Sequence, residues 1–590
     1  MRLRPSGGSA LAVATAMFLA AMLVVPRMSA PISFDGAQTY LPLAKRLLAE
    51  GAAFFRAPES ISVAPVAYLY PALLGASEAA VRWGNVLLFL ATIGLAYEAL
   101  RVAHSRAAGV TAAFLIALSP TLRPYVADVL TEPPFLFMIA LWVTAVANVQ
   151  TGTARRPWAW ILAGAFALSV ATLTRSSVQL LAPALLLVFL LRASRARGEA
   201  RPIEWRLAAM HGLAPLLPLF WIVHNQAAFG LASIATGSGA ALWLGVDPMT
   251  YGFDPVYFGM DYDVGAVARD VSHLSLEGDR ILRGAAILEL RDIPLPVLAE
   301  MFARKAAAFL TVGSVELSAN LVSLRAWRVA LLVPAVAAVA WQWRSRLVFV
   351  LAACVLYMVA IHLPALYHHR YSVGAIDLPL AMLASVGLAQ AARSARRAGA
   401  LAVTVILAVG LGLSQLGEAG PGSPRVDRAP GELLFSQDMS SLPITAVSGA
   451  RTLAPGRFSV EPGATLDIPV SLKSPYAGDY TATVLGIGIT SSRGHPGCDA
   501  MRLRFRYIAE ALFAPNRVVR VRLAPDVGLR AVIVGTTQPL HLNADGVLRL
   551  EFECSYPATL ELGRITVIAP RRAFVYHDRW LEQRNAKDPR

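Results

Sequence analysis

Long apolar runs, most of them separated by short arginine-bearing connectors, constrain this chain more than any other feature. Runs of this length match the bilayer core, which needs about 20 apolar residues in a helix. The sequence predicts eleven spans, near 9–26, 79–100, 107–122, 133–150, 158–174, 178–192, 207–224, 327–341, 347–366, 373–391 and 398–417. Composition agrees: 56% of the 590 residues are hydrophobic, mean hydropathy is +0.54, and only 15% are charged. Soluble domains carry about 25% charge.

The net charge of +15 is almost wholly arginine, since the only lysines are Lys45, Lys305, Lys473 and Lys587. A basic balance can signal nucleic acid. Here the arginines fall in alternate short loops: Arg101 and Arg106; Arg155 and Arg156; Arg192, Arg195, Arg197, Arg201 and Arg206; Arg344 and Arg346; Arg393, Arg396 and Arg397. Membrane topology accounts for that spacing, and no basic-aromatic module is present, so nucleic acid is not an expected partner. The positive-inside rule puts these loops in the cytoplasm and the amino terminus with them. Residues 27–78, 123–132, 175–177, 225–326, 367–372 and everything beyond about 418 are then expected outside. Arg27, Lys45, Arg46 and Arg56 in the first outer loop run against that rule and are expected to face lipid phosphates or substrate. Met1-Arg2-Leu3-Arg4 before the first run reads as the start of an uncleaved helix, with a signal peptide as the alternative.

Two outer loops are too long to be simple connectors. Residues 36–50 place Tyr40, Leu43, Leu47 and Leu48 on one helical face, as in a helix lying along the membrane surface. Residues 275–310 read as helical with a break at Pro294 and Pro296. Beyond residue 420 the pattern changes. Segments at 465–473, 480–489, 501–508, 517–523, 529–534, 547–553 and 560–568 alternate and are broken by Gly, Pro and Asp, as in a β-sandwich. The expected division is a helical membrane domain at 1–420 and an extracytoplasmic β-rich domain at 421–590, with carbohydrate binding or a structural cap as its two readings. Cys498 and Cys554 fall in that β-rich part and are expected to form a disulfide, whereas Cys354 lies in an apolar run.

Polar groups collect at the outer ends of the spans. Asp35 follows span one in Ser33-Phe34-Asp35-Gly36; Asp128 and Glu132 precede span four; Arg175 ends span five; His224 and Asn225 end span seven. Lys305 lies on the 275–310 helix, and His368, His369, Arg370 and Tyr371 open span ten. Carboxylates and cations gathered at one face suit acid–base chemistry on an anionic substrate. Each has a plainer reading: Asp35 and Glu132 as helix caps, Arg370 snorkelling to headgroups, Lys305 solvated, His224 and Asn225 bonding a helix end.

Ser33–Glu50, Ala64–Pro71, Thr131-Glu132-Pro133, Pro218–Asn225, Ser238–Gly245 and Arg370-Tyr371 together resemble GT-C membrane glycosyltransferases over roughly residues 1–420, in particular the family 39-like enzymes that include protein O-mannosyltransferases and lipid A aminoarabinose transferases. One departure is His224, where that family usually has Arg in its Trp-x-x-Arg-Asn segment. The resemblance implies a polyprenyl-phosphate-linked sugar donor, a lipid, glycan or protein acceptor, and inversion at the anomeric carbon. It makes Asp35 the expected general base. Arg370, Lys305 and Arg175 become expected phosphate-binding cations, with Tyr371, Asn225 and His224 beside them. Glu132 and Asp128 are expected to bind acceptor hydroxyls or orient a cation. A divalent cation stays open as cofactor, since no compact ligand spacing stands out. The alanine- and arginine-rich composition suits a bacterial inner membrane. Two other classes compete. A transporter or flippase of lipid-linked sugars calls for charged or broken segments at membrane depth, and the span centres read as largely uncharged. A non-catalytic envelope assembly protein would leave Asp35 replaceable.

Overall fold

The computed structural model describes residues 7–29, 32–33, 35–152, 156–246, 252–253, 272–312, 319–393, 432–472, 481–490, 498–507, 519–522, 530–536, 544–554 and 557–569. The expected span at 398–417 lies outside them.

The helices are α1 Gly7–Val24, α2 Leu41–Glu50, α3 Val66–Leu73, α4 Glu78–Ala103, α5 Arg106–Leu118, α6 Arg123–Val126, α7 Glu132–Gln150, α8 Pro157–Thr174, α9 Leu181–Arg195, α10 Ala200–Leu213, α11 Leu216–Phe229, α12 Ser238–Gly245, α13 Leu276–Asp292, α14 Leu295–Thr311, α15 Ala319–Gln342, α16 Arg346–His362 and α17 His369–Arg393. Among the described residues, eight helical segments are long and apolar enough to cross a membrane, and α5 and α16 are shorter apolar helices. The chain is a multi-pass membrane protein. Ten expected spans coincide with these segments, the seventh as the continuous pair α10–α11.

α7 and α17 are the most enclosed helices. α7 packs on α4 and α8, while α17 packs on α5, α15 and α16. Small residues such as Ala140, Ala145, Ala147, Ala375, Ala381 and Ala384 line these seams at full or nearly full burial, which allows close backbone approach. At Gly387 an added Cβ would lie 1.9 Å from the Pro334 carbonyl oxygen, so α15 and α17 touch backbone to backbone there. Trp142 Nε1 donates to His211 Nε2 at 3.3 Å, and His211 Nδ1 lies 2.7 Å from the Leu207 carbonyl.

One charged pair lies within the spans, toward the start of each. Arg328 on α15 and Asp377 on α17 are buried at 0% and 1% exposure and pair at 2.5 Å. Both lie inside runs that hydropathy averages as apolar, which is why a window hides them.

The first loop differs from expectation in register. Gly36–Tyr40 is a π-helix that runs into α2. A π turn carries more residues than an α turn, so the buried face changes. Leu41, Leu43 and Ala44 are buried, Leu48 is exposed, and Tyr40 turns toward the polar end of the bundle. Residues 275–310 do form two helices interrupted at Pro294, α13 and α14, with Ser275 Oγ accepting from Gly278 N at 3.1 Å as the cap.

The second compact unit is built mainly from Pro421–Arg590. Its strands are β1 Glu432–Asp438, β2 Thr445–Ala454, β3 Arg457–Leu472, β4 Thr481–Thr490, β5 Cys498–Tyr507, β6 Val519–Arg522, β7 Arg530–Thr536, β8 Ala544–Cys554 and β9 Ala558–Ala569. All pair antiparallel, in the order β6-β5-β8-β3-β9-β4-β7, with β1 on β9 and β2 on β3. β3 changes partner along its length, from β9 at Arg457–Val460 to β8 at Thr465–Leu472, so hydrogen bonding is continuous through one sheet. Phe458, Val460, Leu466, Ile468, Leu548, Leu550, Phe552, Leu560, Leu562 and Ile565 are buried. β1 and β2 were not foreseen. Cys498 and Cys554 are register partners across β5 and β8, and Cys554 is disulfide-bonded. Cys354 is free and buried.

Candidate active site

Four segments far apart in sequence meet at one end of the bundle. Arg370, in the first turn of α17, donates through Nη1 to Asp35 and through Nε to Glu132, with Nη2 3.3 Å from the second Glu132 oxygen. Arg175, at the end of α8, donates to Glu132 Oε1 at 2.6 Å. Two carboxylates and two guanidiniums thus form one chain, Asp35–Arg370–Glu132–Arg175.

Local structure explains how each member is held. Ser33 N donates to both Asp128 carboxylate oxygens, at 3.0 and 3.2 Å. Asn85 Nδ2 on α4 donates to the Asp128 carbonyl at 2.6 Å. At Gly36 an added Cβ would meet the Val129 carbonyl oxygen at 2.8 Å, so the turn after Asp35 lies directly on the 128–129 backbone. These contacts leave Asp35 facing Arg370. Asp35 makes no capping hydrogen bond to the helical turn it precedes, so the capping reading is not realised. Arg175 lies flat against α17, where a Cβ at Gly374 would sit 2.8 Å from its Nη1, and its Cζ is 5.3 Å from the Phe135 ring centroid.

The two acids differ in access. The Glu132 side chain is 0% exposed and Asp35 is 41% exposed. Glu132 is enclosed between cations, and Asp35 can be reached from outside. Tyr40, which the sequence reading assigned to an apolar face, belongs here: Arg370 reaches its hydroxyl, and burial pushes the phenol up to about 12, so it stays a neutral hydrogen-bonding group. His368 and His369 stack with centroids 4.4 Å apart. His368 Nδ1 accepts from Arg370 N at 3.0 Å, and burial, with His369 and Arg370 nearby, pushes that imidazole down to about 3, so it is neutral.

Other expected site residues are placed differently. Asp128 serves as the anchor of Ser33, which leaves its carboxylate committed to backbone. Lys305 on α14 is fully buried and donates to the Gly245 and Ala365 carbonyls at 2.7 and 3.0 Å. Burial pushes its amine down to about 7. It ties α12 and α14 to the strand entering α17, and its contacts are to these carbonyls and the Phe302 ring instead of the carboxylates. Asn225 Nδ2 donates to the Ser233 and Ile234 carbonyls at 2.8 and 3.1 Å, and Trp221 Nε1 to Ile234 at 2.9 Å, so this motif holds the 231–236 loop. His224 Nε2 lies 3.2 Å from the Phe55 carbonyl in the first loop. Tyr371 is partly exposed beside Arg370, its ring 5.6 Å from His368.

A divalent cation would find poor ligands here. No group of three His, Cys, Asp or Glu lies together among the described residues, and both carboxylates already face guanidinium groups.

Residues 61–222 match the family model described as dolichyl-phosphate-mannose-protein mannosyltransferase. No curated protein matches the chain. Among solved structures, the oligosaccharyltransferase of Archaeoglobus fulgidus is 14% identical, with TM-score 0.40, over 69% of this chain and 53% of its own. The present chain therefore spans about half the length of that protein. ArnT from Cupriavidus metallidurans is 17% identical, with TM-score 0.30, over 66% of this chain and 79% of its own. The arabinosyltransferase EmbB from Mycobacterium smegmatis is 13% identical, with TM-score 0.24, over 97% and 65%. Glu132 and Arg175 fall inside the matched stretch, and Asp35 and Arg370 flank it from either side. The match to the dolichyl-phosphate-mannose-protein mannosyltransferase family model is confined to residues 61–222 of this 590-residue membrane protein.

Proposed function

We propose that this enzyme moves a sugar from a polyprenyl-phosphate-linked donor to an acceptor hydroxyl, with inversion, at the extracytoplasmic face of a bacterial inner membrane. The observation that carries the reading is the Asp35–Arg370–Glu132–Arg175 chain, which joins an exposed carboxylate to cations at one end of the bundle.

Asp35 is the base because it alone of the two acids is open to an acceptor. It takes the hydroxyl proton as the acceptor oxygen bonds to C1. The C1–O bond to phosphate breaks, and its electron pair leaves with the polyprenyl phosphate. A phosphate is already a good anion, so no general acid is required. Glu132 keeps its charge between two guanidiniums and sets their positions. Arg370 neutralises Asp35 at rest, and its fork can also grip phosphate oxygens. Tyr40 stays neutral and keeps the Arg370 plane in place.

The test is transfer in membranes supplied with polyprenyl-phosphate pentoses and hexoses, comparing wild type with Asp35→Asn. Retained turnover in the variant would remove Asp35 as base. A carrier of lipid-linked sugars is the second reading, favoured by the buried Arg328–Asp377 pair. It predicts movement of the donor across vesicles with no new glycosidic bond, and indifference to Asp35→Asn.

A further inference from the structure

We infer that Arg328 and Asp377 are a positioning pair for the candidate active site, holding Arg370 and Glu132 in mutual register from within the membrane-spanning bundle. This rests on the glycosyltransferase reading above for its kinetic arm only.

Asp377 lies seven residues beyond Arg370 on α17. That is two helical turns, so the two side chains leave one face about 10 Å apart along the axis. Arg328 pairs with Asp377 from α15 at 2.5 Å and donates its Nη1 to the Phe309 carbonyl at 2.7 Å, in the last turn of α14. On the other side, the Thr121 hydroxyl is beside the Asp377 carboxylate. Thr121 is buried and bonded to Ser119 at 2.8 Å, in the turn that leads through α6 to Asp128 and Glu132. Asp377 therefore meets three segments at once: the helix carrying Arg370, the segment that delivers Glu132, and, through Arg328, the end of α14. Four residues before Phe309, Lys305 makes the other tie from α14 to the entry of α17, through Ala365.

Stability alone is a weak reason for this pair. A buried ion pair is often no better than well-packed apolar residues of the same size, because desolvation offsets the attraction. Ionisable groups within membrane spans are rare and mark function by default. What a charged pair adds is direction. A guanidinium fork and a carboxylate fix the rotation and axial height of α17, which apolar side chains in a slippery alanine-rich seam do not. Arg370 has to bridge two carboxylates, so a shift of about 1 Å at the top of α17 would break the chain and cost up to about 100-fold in rate.

The experiment uses the full-length protein in proteoliposomes. Arg328→Met/Asp377→Leu removes both charges together and leaves no unpaired one. Its effect is read by kcat on whichever polyprenyl-phosphate sugar the wild type turns over, by thermal unfolding, and by maleimide labelling of a cysteine placed at position 371 beside Arg370. The expected result is an unchanged melting midpoint, a labelling rate altered at least about 3-fold, and kcat lowered about 10- to 100-fold. Wild-type labelling and wild-type kcat in the double variant overturn the proposal. Should that variant fail to accumulate, Arg328→Lys keeps the charge beside Asp377 and loses the fork to Phe309. It should lower kcat about 10-fold and shift labelling in the same direction, and wild-type values in it overturn the proposal equally. The labelling arm needs no turnover. A wild type that transfers no sugar would sink the glycosyltransferase reading while the labelling comparison still decides this one.

Discussion

Arg370 donates to Asp35 with one nitrogen and to Glu132 with another, so a loop acid and a helix acid 97 residues apart in sequence share one guanidinium. The loop acid is open to solvent and the helix acid is not. That difference separates their tasks and makes them respond differently to substitution.

Asp35→Asn removes the proposed proton acceptor and keeps the shape. Turnover should fall about 100- to 10,000-fold, the usual contribution of a general base. Asp35→Glu should recover part of it, and thermal unfolding should barely move, because Asp35 is half open and makes no cap. Initial rates at saturating donor, set beside melting curves, check this. Equal losses in both measurements would assign Asp35 to the fold instead.

Glu132→Gln should behave in the opposite way. It leaves Arg370 and Arg175 facing one another without their shared carboxylate, in a place the solvent does not reach. Stripping one partner from a buried pair costs about 3–5 kcal/mol. Protein level and melting midpoint should drop, and Arg175→Leu added to Glu132→Gln should recover part of the loss by removing one unpaired cation. A normal melting curve for Glu132→Gln alone would count against the arrangement.

The helical spans were legible because hydropathy over a bilayer's length is a strong local signal. Asp35 stood out for the same reason: an acid just past an apolar run is conspicuous. Partner choice was not legible. Arg370 and Asp35 are 335 residues apart, and only packing of α17 against the first loop decides that Arg370 meets carboxylates. A 3.6-residue period carries Tyr40 to the wrong face, because Gly36–Tyr40 is a π-helix. Lys305 reads in sequence as an available cation beside Arg304, yet it lies on the face of Met301, Ala308 and Phe309, which are all buried. Asp377 and Arg328 were averaged away inside apolar windows, although single charges in such runs are the residues most worth following.

Gly36→Ala should lower the proposed transfer without touching any ionisable group. The new methyl would sit 2.8 Å from the Val129 carbonyl oxygen and 3.0 Å from its Cβ, with backbone on the near side. The turn has to lift off residues 128–129, and Asp35 moves away from Arg370 with it. The expected loss in turnover is about 10- to 100-fold, with a smaller fall in melting midpoint. Gly51→Ala, at a position with a φ of 58° and open surroundings, is the control for backbone strain alone and should affect stability more than rate.

Cys554→Ser should abolish a mobility difference between reduced and unreduced protein on a denaturing gel, since Cys554 is disulfide-bonded opposite Cys498. Loss of such a bridge costs about 2–5 kcal/mol in a small domain. The unfolding transition of the β-rich unit should move to lower temperature, and the sugar transfer proposed for the helical unit serves as a separate readout. A gel pattern unaffected by the substitution would exclude the bridge.

Lys305 yields a prediction with a definite sign in pH. Its amine is pushed down by burial to about 7, against an ordinary value of 10.5. Between those limits the unfolded chain binds a proton that the folded chain does not. Stability therefore rises with pH across that window, and the penalty for burying the charged amine is fully present below about 7. Lys305→Met fills similar space without an amine, so it should remove this dependence, leaving the variant more stable relative to wild type at pH 6.5 than at pH 9, two test values chosen on either side of about 7. The same substitution unties the Gly245 and Ala365 carbonyls, so some stability is lost at both values. The informative quantity is the change in that difference with pH, read from melting curves of the two proteins in one detergent. A difference that stays constant from pH 6.5 to 9 would mean that Lys305 remains charged in the folded state, held by its two carbonyls.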